Sequence, residues 1–202
     1  MNRKEHWDTI YTTKADTDVS WYQPEPQVSL DLIEMASPAH GRIIDVGGGA
    51  SLLVDKLLDA KFQKIAVLDV SAAALDRSKN RLGERAKLVE WIVADVMSGR
   101  DLGKFDVWHD RAVFHFLTDE GDRRNYVKLA SRALPAGGHL IVGTFALDGP
   151  PKCSGLEVCR YDAATLSQEL GPGFSLVHHI GHTHTTPAGK PQKFFFGLFR
   201  RT

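Results

Sequence analysis

The sequence predicts an α/β protein with a mostly parallel seven-stranded sheet and helices on both faces. Three observations lead to this fold class. Strand-like and helical segments alternate between residues 42 and 145, a glycine-rich turn follows the first strand-like segment, and the last two strand-like segments have no helix between them. Alternating elements favour parallel strands joined by crossover helices, whereas two consecutive strands favour an antiparallel hairpin at the end of the sheet.

Short apolar segments predict five strands before the C-terminal part of the chain. They lie at residues 42–46, 64–70, 88–93, 105–109 and 138–145. Apolar residues at helical spacing predict helices at 52–58, from Ser71 to about Leu82, and at 122–134. Ser71 suits an N-cap because its hydroxyl can accept a hydrogen bond from the first helical turn, and Pro135 stops the third helix.

The C-terminal part combines one predicted helix at 162–170 with two strands at 174–180 and 192–199. A loop of about eleven residues that contains glycine and proline separates these strands, which suits an antiparallel hairpin. At the other end of the chain, residues 1–40 precede the first strand. They are free to form a helical cap over a site at the end of the sheet.

Length and composition limit the functional classes. The chain of 202 residues fits a single domain, 1–202, with the cap at 1–40 and the core at 41–202. Lys plus Arg and Asp plus Glu number 25 each, and this balance argues against a nucleic-acid partner. No apolar run approaches the roughly 20 residues of a membrane span, and residues 1–22 lack a secretory signal. Two cysteines cannot form a disulfide scaffold, which favours a cytoplasmic location. The sequence leaves the oligomeric state open.

The strongest functional signal is the turn after the first strand, where Asp45 precedes Gly47, Gly48 and Gly49. Glycines there let the backbone turn tightly and approach a ligand closely. A dinucleotide fingerprint needs another glycine three residues after the second, but Leu52 stands at that position. A carboxylate before the turn gives pyrophosphate no advantage, whereas it suits the ammonium and sulfonium groups of S-adenosylmethionine.

Two further aspartates follow the next two strands. Asp69, 24 residues after Asp45, precedes Val70 and can accept both hydroxyls of a ribose, and Asp95, beside Val96, can reach an adenine amino group. Each aspartate alone is as readily explained as a helix cap or a turn residue. Three aspartates at the ends of successive strands, the first beside a triple glycine, favour a nucleoside site.

The pattern resembles the class I (Rossmann-like) S-adenosylmethionine-dependent methyltransferase superfamily over residues 43–202. The resemblance implies five parallel strands closed by an antiparallel hairpin, with S-adenosylmethionine as the cofactor. One departure is Ser51, where the family often has a glycine. The resemblance distributes the cofactor contacts among the methionine end (Asp45, Gly47, Gly48, Gly49), the ribose (Asp69, Val70) and the adenine region (Asp95, Val96).

The segment after the fourth strand bears on the methyl acceptor. Residues 110–112 (DRA) and 122–126 (DRRNY) are similar to the corresponding region of thiopurine and related thiol methyltransferases. In the superfamily this strand end faces the transferred methyl group, so the resemblance makes Asp110 a candidate for cofactor binding and catalysis. His115 is the candidate general base because its ordinary pKa lies near neutrality. The alternative for His115 is packing beside its phenylalanine neighbours.

Candidate contacts also lie outside the central strands. Trp21 and Tyr22 in the cap can stack on the adenosyl group or flank the sulfonium, or they can pack the cap itself. The loop after the fifth strand offers four candidate substrate contacts, since loops at the carboxyl ends of strands carry specificity. These are Lys152, Cys153, Arg160 and Tyr161.

Cysteine and histidine cluster in the C-terminal part, as Cys153, Cys159, His178, His182 and His184. Such soft ligands can hold a metal or contact a metalloid substrate. The gap of five residues between the two cysteines is longer than that of a zinc knuckle. The sequence therefore predicts no bound metal.

The leading hypothesis is a methyltransferase that acts on a small molecule, with a soft nucleophile such as a thiol as one acceptor class. A protein (lysine) methyltransferase is an alternative that calls for an open acidic groove. A non-catalytic module that binds S-adenosylmethionine is a second alternative, since a fold alone does not prove chemistry. A nicotinamide dehydrogenase is the weakest alternative because of the glycine spacing.

Overall fold

The computed structural model describes residues 3–37 and 40–202. The helices of this part of the chain are α1 (Arg3–Thr13), α2 (Gln27–Ala36), α3 (Leu53–Asp59), α4 (Ala72–Leu82), α5 (Glu120–Ala133) and α6 (Ala163–Leu170). The strands are β1 (Ile43–Val46), β2 (Ile65–Asp69), β3 (Val89–Val93), β4 (Val107–Arg111), β5 (His139–Phe145), β6 (Lys152–Cys153), β7 (Leu156–Glu157), β8 (Phe174–Thr185) and β9 (Pro191–Arg201). No helix among the described residues combines the length and apolarity needed to cross a bilayer.

Seven strands form one sheet in the order β3-β2-β1-β4-β5-β9-β8. The pairs among the first five strands are parallel, and β9 runs antiparallel between β5 and β8. The strand order reverses between β1 and β4. Open α/β sheets bind ligands at such a switch point, outside the carboxyl ends of the strands.

Helices cover both faces of the sheet, as predicted. On one face, Trp108 of β4 packs with residues of α5 and α6; on the other, Phe145 of β5 packs with residues of α2 and α3. Side chains alternate between the two faces along each strand. Along β4 this alternation directs Trp108 and Asp110 to the α5 face, where both reach Tyr126, and it directs His109 to the α2 face.

The predicted order of elements is confirmed, and the differences lie at the start of β4, at an added β6–β7 hairpin and at the C-terminal hairpin. Ser71 caps α4 by accepting a hydrogen bond from the Ala74 amide at 3.2 Å. β4 begins two residues later than predicted, because the amide of Phe105 bonds to the Ala133 carbonyl at the end of α5. A short β6–β7 hairpin also forms where the sequence predicted a loop.

The C-terminal hairpin is longer than predicted, since β8 continues to Thr185 and β9 begins at Pro191. Five residues, 186–190, connect the strands in place of about eleven. Side chains in the added part of β8 alternate between exposed and inward positions. The inward positions hold polar residues, so the sequence shows no apolar alternation there. His184 points inward, where its Nε2 bonds to the Ser20 carbonyl oxygen at 2.8 Å, whereas Thr183 is exposed.

The N-terminal segment is helical and lies against α4 and α5. The Ser71 hydroxyl donates to Asp8 of α1 at 2.6 Å, and Arg3 donates to Asp122 of α5 at 2.5 Å. A further ion pair of 2.5 Å joins Arg77 of α4 to Asp16. Residues 1–2 and 38–39 of the predicted cap lie outside the described residues.

Candidate functional site

A pocket lies at the carboxyl ends of β1, β2 and β4, beneath α1 and the segment that joins α1 to α2. Its floor contains the glycine turn after β1. The predicted site residues among its lining are Trp21, Tyr22, Asp45, Gly47, Gly48, Asp69, Val70, Asp95, Val96 and Cys153. Most of the cofactor residues selected from the sequence therefore lie around one cavity, and Gly49 belongs to the same turn.

The turn requires glycine for backbone and steric reasons. Gly47 and Gly49 have backbone φ values of +71° and +45°, which residues other than glycine rarely adopt. A Cβ at Gly47 would lie 2.0 Å from Val113 Cγ2, and a Cβ at Gly48 would lie 2.5 Å from Asp45 Oδ2. The turn therefore leaves its backbone free to contact a ligand.

Asp45 is held beneath this turn by a residue that the sequence analysis missed. His109 is its register partner on β4, and His109 Nδ1 lies 2.7 Å from Asp45 Oδ1. The other ring nitrogen lies 2.9 Å from the Ser29 hydroxyl of α2. With Nδ1 donating to Asp45, Nε2 of a neutral imidazole accepts from Ser29. The buried Asp45 carboxylate is thereby fixed in position at the pocket floor.

Asp69 is a buried carboxylate with few partners. Its Oδ1 accepts a hydrogen bond from the Ser71 amide at 2.8 Å, and no salt bridge between described residues includes it. Burial raises the pKa of Asp69 to about 7, and the charges of Asp45 and Asp8 act in the same direction. Asp69 therefore retains acceptor capacity toward the pocket that it lines.

Asp95 and Val96 lie at the rim of the same pocket. The Asp95 side chain accepts from the Met97 amide at 2.8 Å, so it also caps a short 3₁₀ turn. Its other oxygen lies 3.9 Å from Nη1 of Arg3, the residue that anchors α1 to α5. This half-exposed carboxylate retains free acceptor capacity toward the pocket.

Aromatic side chains form one wall. Trp21 contacts Trp7 edge to face at 5.6 Å between ring centroids, and Trp7 contacts Phe116 in the same way at 5.3 Å. Tyr11 lies beside Trp21 at 6.4 Å. The sequence analysis selected Trp21 and missed Trp7 and Tyr11, although their spacing of four residues puts them on one face of α1.

Asp110, predicted as a cofactor and catalytic residue, does not line the pocket. Strand alternation turns its side chain to the α5 face. There it accepts hydrogen bonds from the Val113 amide at 2.9 Å and from the Tyr126 hydroxyl at 2.5 Å, and Trp108 in turn donates to Tyr126. These donors give Asp110 a structural role in the turn after β4.

His115, predicted as the general base, lies away from the pocket. It is fully buried outside the pocket lining, with ring contacts to Phe116 and Phe145, and neither ring nitrogen has a partner among the described residues. Burial, with the charge of Arg111, lowers the pKa of His115 to about 3. Such an imidazole stays neutral and accepts a proton poorly.

Of the four candidate substrate contacts after β5, only Cys153 lines the pocket. Lys152 pairs with Glu157 across the β6–β7 hairpin at 2.8 Å. The exposed Arg160 donates to a backbone carbonyl at 3.1 Å, and Tyr161 is buried on the α5 face of the sheet. The four residues were grouped as substrate contacts because they are close in sequence. The β6–β7 hairpin places them in different surroundings.

The cysteines and histidines of the C-terminal part do not form one cluster. Cys159 Sγ lies 3.8 Å from the Leu117 carbonyl, His178 is exposed, and Cys153 faces the pocket. Within residues 3–37 and 40–202, no group of three or more His, Cys, Asp or Glu side chains is arranged to hold a metal ion.

The chain is similar in sequence to known methyltransferases. Residues 44–140 match the family model of a methyltransferase domain. Nodulation protein S of Rhizobium tropici is 30% identical over 113 residues, which are 56% of this chain and 47% of that protein. EEF1A lysine methyltransferase 2 of Danio rerio is 24% identical over 191 residues, covering 89% of this chain and 78% of that protein.

A solved structure shares the whole fold. The N-methyltransferase NodS of Bradyrhizobium japonicum, in complex with S-adenosylhomocysteine, superimposes with a TM-score of 0.74 at 17% identity, covering 99% of both chains. At this identity the likeness concerns the fold.

In the sequence comparison, by contrast, the segment aligned with nodulation protein S of Rhizobium tropici spans about half of that protein's length, 47%.

Proposed function

We propose that the chain is a class I S-adenosylmethionine-dependent methyltransferase that transfers a methyl group to a small-molecule acceptor, a proposal supported by the matched methyltransferase domain and by its relatives. The observation that carries this proposal is Asp69, a buried carboxylate beside a glycine turn that accepts from the backbone amides of Ser71 and Val70. No salt bridge between described residues includes it, and neutral hydroxyl donors suit such a group. A ribose provides two of them.

The remaining lining suits the rest of the cofactor. Asp45, held by His109, would attract the ammonium group of the methionine end. Asp95 would accept from the adenine amino group, with Val96 beside the ring. The aromatic wall, including Trp7 and Trp21, would lie against the adenosyl part and the sulfonium.

Chemistry at this site requires positioning more than proton transfer. Bound S-adenosylmethionine supplies a methyl group on a sulfonium, which an acceptor atom displaces in line. The aromatic wall excludes water from the cofactor side and limits the directions from which an acceptor can approach. Burial raises the pKa of Cys153 to about 12, so this thiol stays protonated and does not serve as a base.

We therefore propose an acceptor that is already nucleophilic near neutral pH, such as a thiolate. A thiolate needs no base because the anion is the nucleophile. Protein lysine methylation is the second candidate, favoured by the similarity to EEF1A lysine methyltransferase 2 over 89% of the chain. The helix α1 covers the pocket, which favours a small-molecule acceptor, since a lysine on a protein surface needs an open groove.

Location and organisation complete the proposal. Both cysteines are free, which suits a cytoplasmic, reducing compartment. The single-domain organisation over 1–202, with the cap at 1–40 and the core at 41–202, is supported by the contacts of α1 with α4 and α5. We propose no nucleic-acid partner, because the formal net charge is zero.

Calorimetry with S-adenosylmethionine, S-adenosylhomocysteine and NADH tests cofactor binding. We expect the first two to bind and NADH not to bind. Asp69→Ala should weaken binding at least about tenfold, because hydrogen bonds to a charged acceptor contribute about 1.5–3 kcal/mol. Asp76→Ala, which removes an exposed carboxylate from α4, is the matched control. Unchanged affinity in folded Asp69→Ala would remove this residue from the site.

A methyl-transfer assay with small thiols, amines, phenols and a lysine peptide then tests the acceptor class. We expect transfer to thiols. Transfer confined to the peptide would favour the lysine candidate. Cofactor binding without transfer to any acceptor would favour a non-catalytic module.

A further inference from the structure

A cation lies in the pocket without an anion. Arg111, the last residue of β4, donates from Nη1 to the Trp21 carbonyl oxygen at 3.0 Å, and its guanidinium carbon lies 4.9 Å from the ring centroid of Phe194. Its Nε and Nη2 are shielded from solvent and have no hydrogen-bond partner in the described part of the chain. The pocket lining includes this residue.

No described side chain forms an ion pair with Arg111. No salt bridge among residues 3–37 and 40–202 includes it, and the carboxylate of Asp45, whose charge acts on Arg111 from beyond ion-pair distance, is hydrogen-bonded to His109. The thiol of Cys153 stays neutral because burial raises its pKa to about 12. Burial lowers the pKa of Arg111 to about 10, so the guanidinium is charged at neutral pH. A buried charge without a partner is costly, and natural proteins keep one where a ligand neutralises it.

The two unpartnered donors share one edge of the guanidinium plane. Nε and Nη2 point in parallel, and this edge matches the two oxygens of a carboxylate. Nη1, on the far side, is fixed by the Trp21 carbonyl. The ring of Phe194 supports the plane from one face. The group is thus preorganised for a planar anion.

Arg111 lies at a different end of the pocket from the proposed ribose and adenine contacts. Four of its neighbours come from the cap (Trp21), from β6 (Cys153) and from the C-terminal hairpin (Phe194 and His182), and these lie outside the matched residues 44–140. Burial, together with the charge of Arg111, lowers the pKa of His182 and of His184. The charge of Arg111 disfavours a cationic acceptor such as a protonated amine.

We propose that the methyl acceptor is an anion whose carboxylate is held by Nε and Nη2 of Arg111. This inference rests on the proposed methyl transfer and names its substrate class. The same chemistry occurs in one other place, the carboxylate of the cofactor's own methionine. Separate measurements of cofactor and acceptor binding distinguish the two sources.

Calorimetry on the protein saturated with S-adenosylhomocysteine provides the test, with para-mercaptobenzoate and para-aminobenzoate as probes. Their amides keep the ring and the nucleophile and lose the charge. We expect each benzoate to bind at least about tenfold more tightly than its amide, since a charge-assisted pair contributes more than 1.4 kcal/mol. Arg111→Gln should abolish this preference and change the affinity for S-adenosylhomocysteine less than about twofold.

Two further variants secure the interpretation. Arg111→Lys keeps the charge without the two-donor edge and should retain only part of the preference. Arg160→Gln removes an exposed arginine outside the pocket and should keep all of it. Equal binding of benzoates and amides to the unaltered protein would overturn the inference. So would a loss of about tenfold or more in S-adenosylhomocysteine affinity in Arg111→Gln, which would identify the cofactor's carboxylate as the ligand. Absence of any S-adenosylhomocysteine binding would instead overturn the proposed function, and with it this inference.

Discussion

Asp69 and Asp110 are both buried carboxylates at strand ends, and the number of their donors separates them. The side chain of Asp110 accepts from the amides of Val113 and Phe114 and from the Tyr126 hydroxyl, whereas that of Asp69 accepts from the amides of Ser71 and Val70 without a side-chain donor among the described residues. Burial raises the pKa of both, to about 6 for Asp110 and about 7 for Asp69. The satisfied group holds a turn, and the other is available to a ligand.

Cofactor binding should release a proton from Asp69. Because burial raises its pKa to about 7, this group is largely protonated in the ligand-free protein at about pH 6. Hydroxyl donors favour the carboxylate, so binding lowers the pKa again. S-adenosylhomocysteine affinity should therefore rise with pH and level off above about pH 7. Calorimetry at about pH 6 in two buffers of different ionisation enthalpy measures the proton, and Asp69→Asn should remove it. Equal heats in both buffers would contradict the assignment.

Tyr126→Phe should destabilise the protein and leave the cofactor affinity unchanged. The substitution removes a donor to Asp110 and the acceptor of Trp108 Nε1, and each buried group left unsatisfied costs about 1–3 kcal/mol. Urea unfolding measures the loss. Tyr161→Phe is the matched control, since that buried hydroxyl faces only the weak thiol acceptor Cys159, and its loss should be smaller. If the free energy of cofactor binding fell by more than the free energy of unfolding, the result would support Asp110 as a cofactor residue.

At the scale of elements, the sequence predicts those whose apolar residues repeat with a regular period. The buried strands β1, β2 and β5 and the capped helix α4 lie close to their predicted positions. The end of β8 was missed because histidine and threonine carry its alternation. Likewise, apolar patterns do not show which face of β4 each residue takes, so Asp110 was selected and His109 was missed.

The helix α1 is held to the core partly by polar contacts. Asp8 and Arg3 hold it to α4 and α5 through hydrogen bonds of 2.6 and 2.5 Å at partly buried positions. Amide hydrogen exchange in α1 should slow when S-adenosylhomocysteine fills the pocket beneath it. Exchange in the central strand β1 should change little and provides the internal control. Equal exchange in α1 with and without the ligand would contradict a closing role.

At the scale of the whole molecule, two charges reduce the stability of the ligand-free protein. Arg111 has no anion and Asp69 has no cation among the described residues, and both are shielded from water. Buried groups of this kind persist where a ligand satisfies them, at a cost to the empty fold. These two groups therefore lower the stability of the ligand-free protein while they remain available to a ligand.

Asp69→Asn should raise the melting temperature of the ligand-free protein at about pH 8. There the carboxylate is ionised in the folded state despite its burial, and that cost grows as the pH rises from 3.8 through about 7. The amide keeps the acceptor for the Ser71 amide and loses the charge. For a chain of this size, each kcal/mol gained corresponds to about 2–4 °C. The gain should vanish near pH 3, where the acid is protonated in both states. Asp76→Asn should show no gain, and an equal gain in both variants would contradict the explanation.

The contacts of α1 also determine when the pocket can be completed during synthesis. Its partners lie far along the chain: Asp8 and Ser71 are separated by 63 positions, and Arg3 and Asp122 by 119. On the ribosome the helix emerges before any of them, and at about 5–20 residues per second it waits for seconds until α5 follows. During that interval α1 lacks the hydrogen bond from Arg3 to Asp122. A nascent chain arrested before α5 would therefore have α1 held to α4 through Asp8 and Ser71 and not yet held to α5.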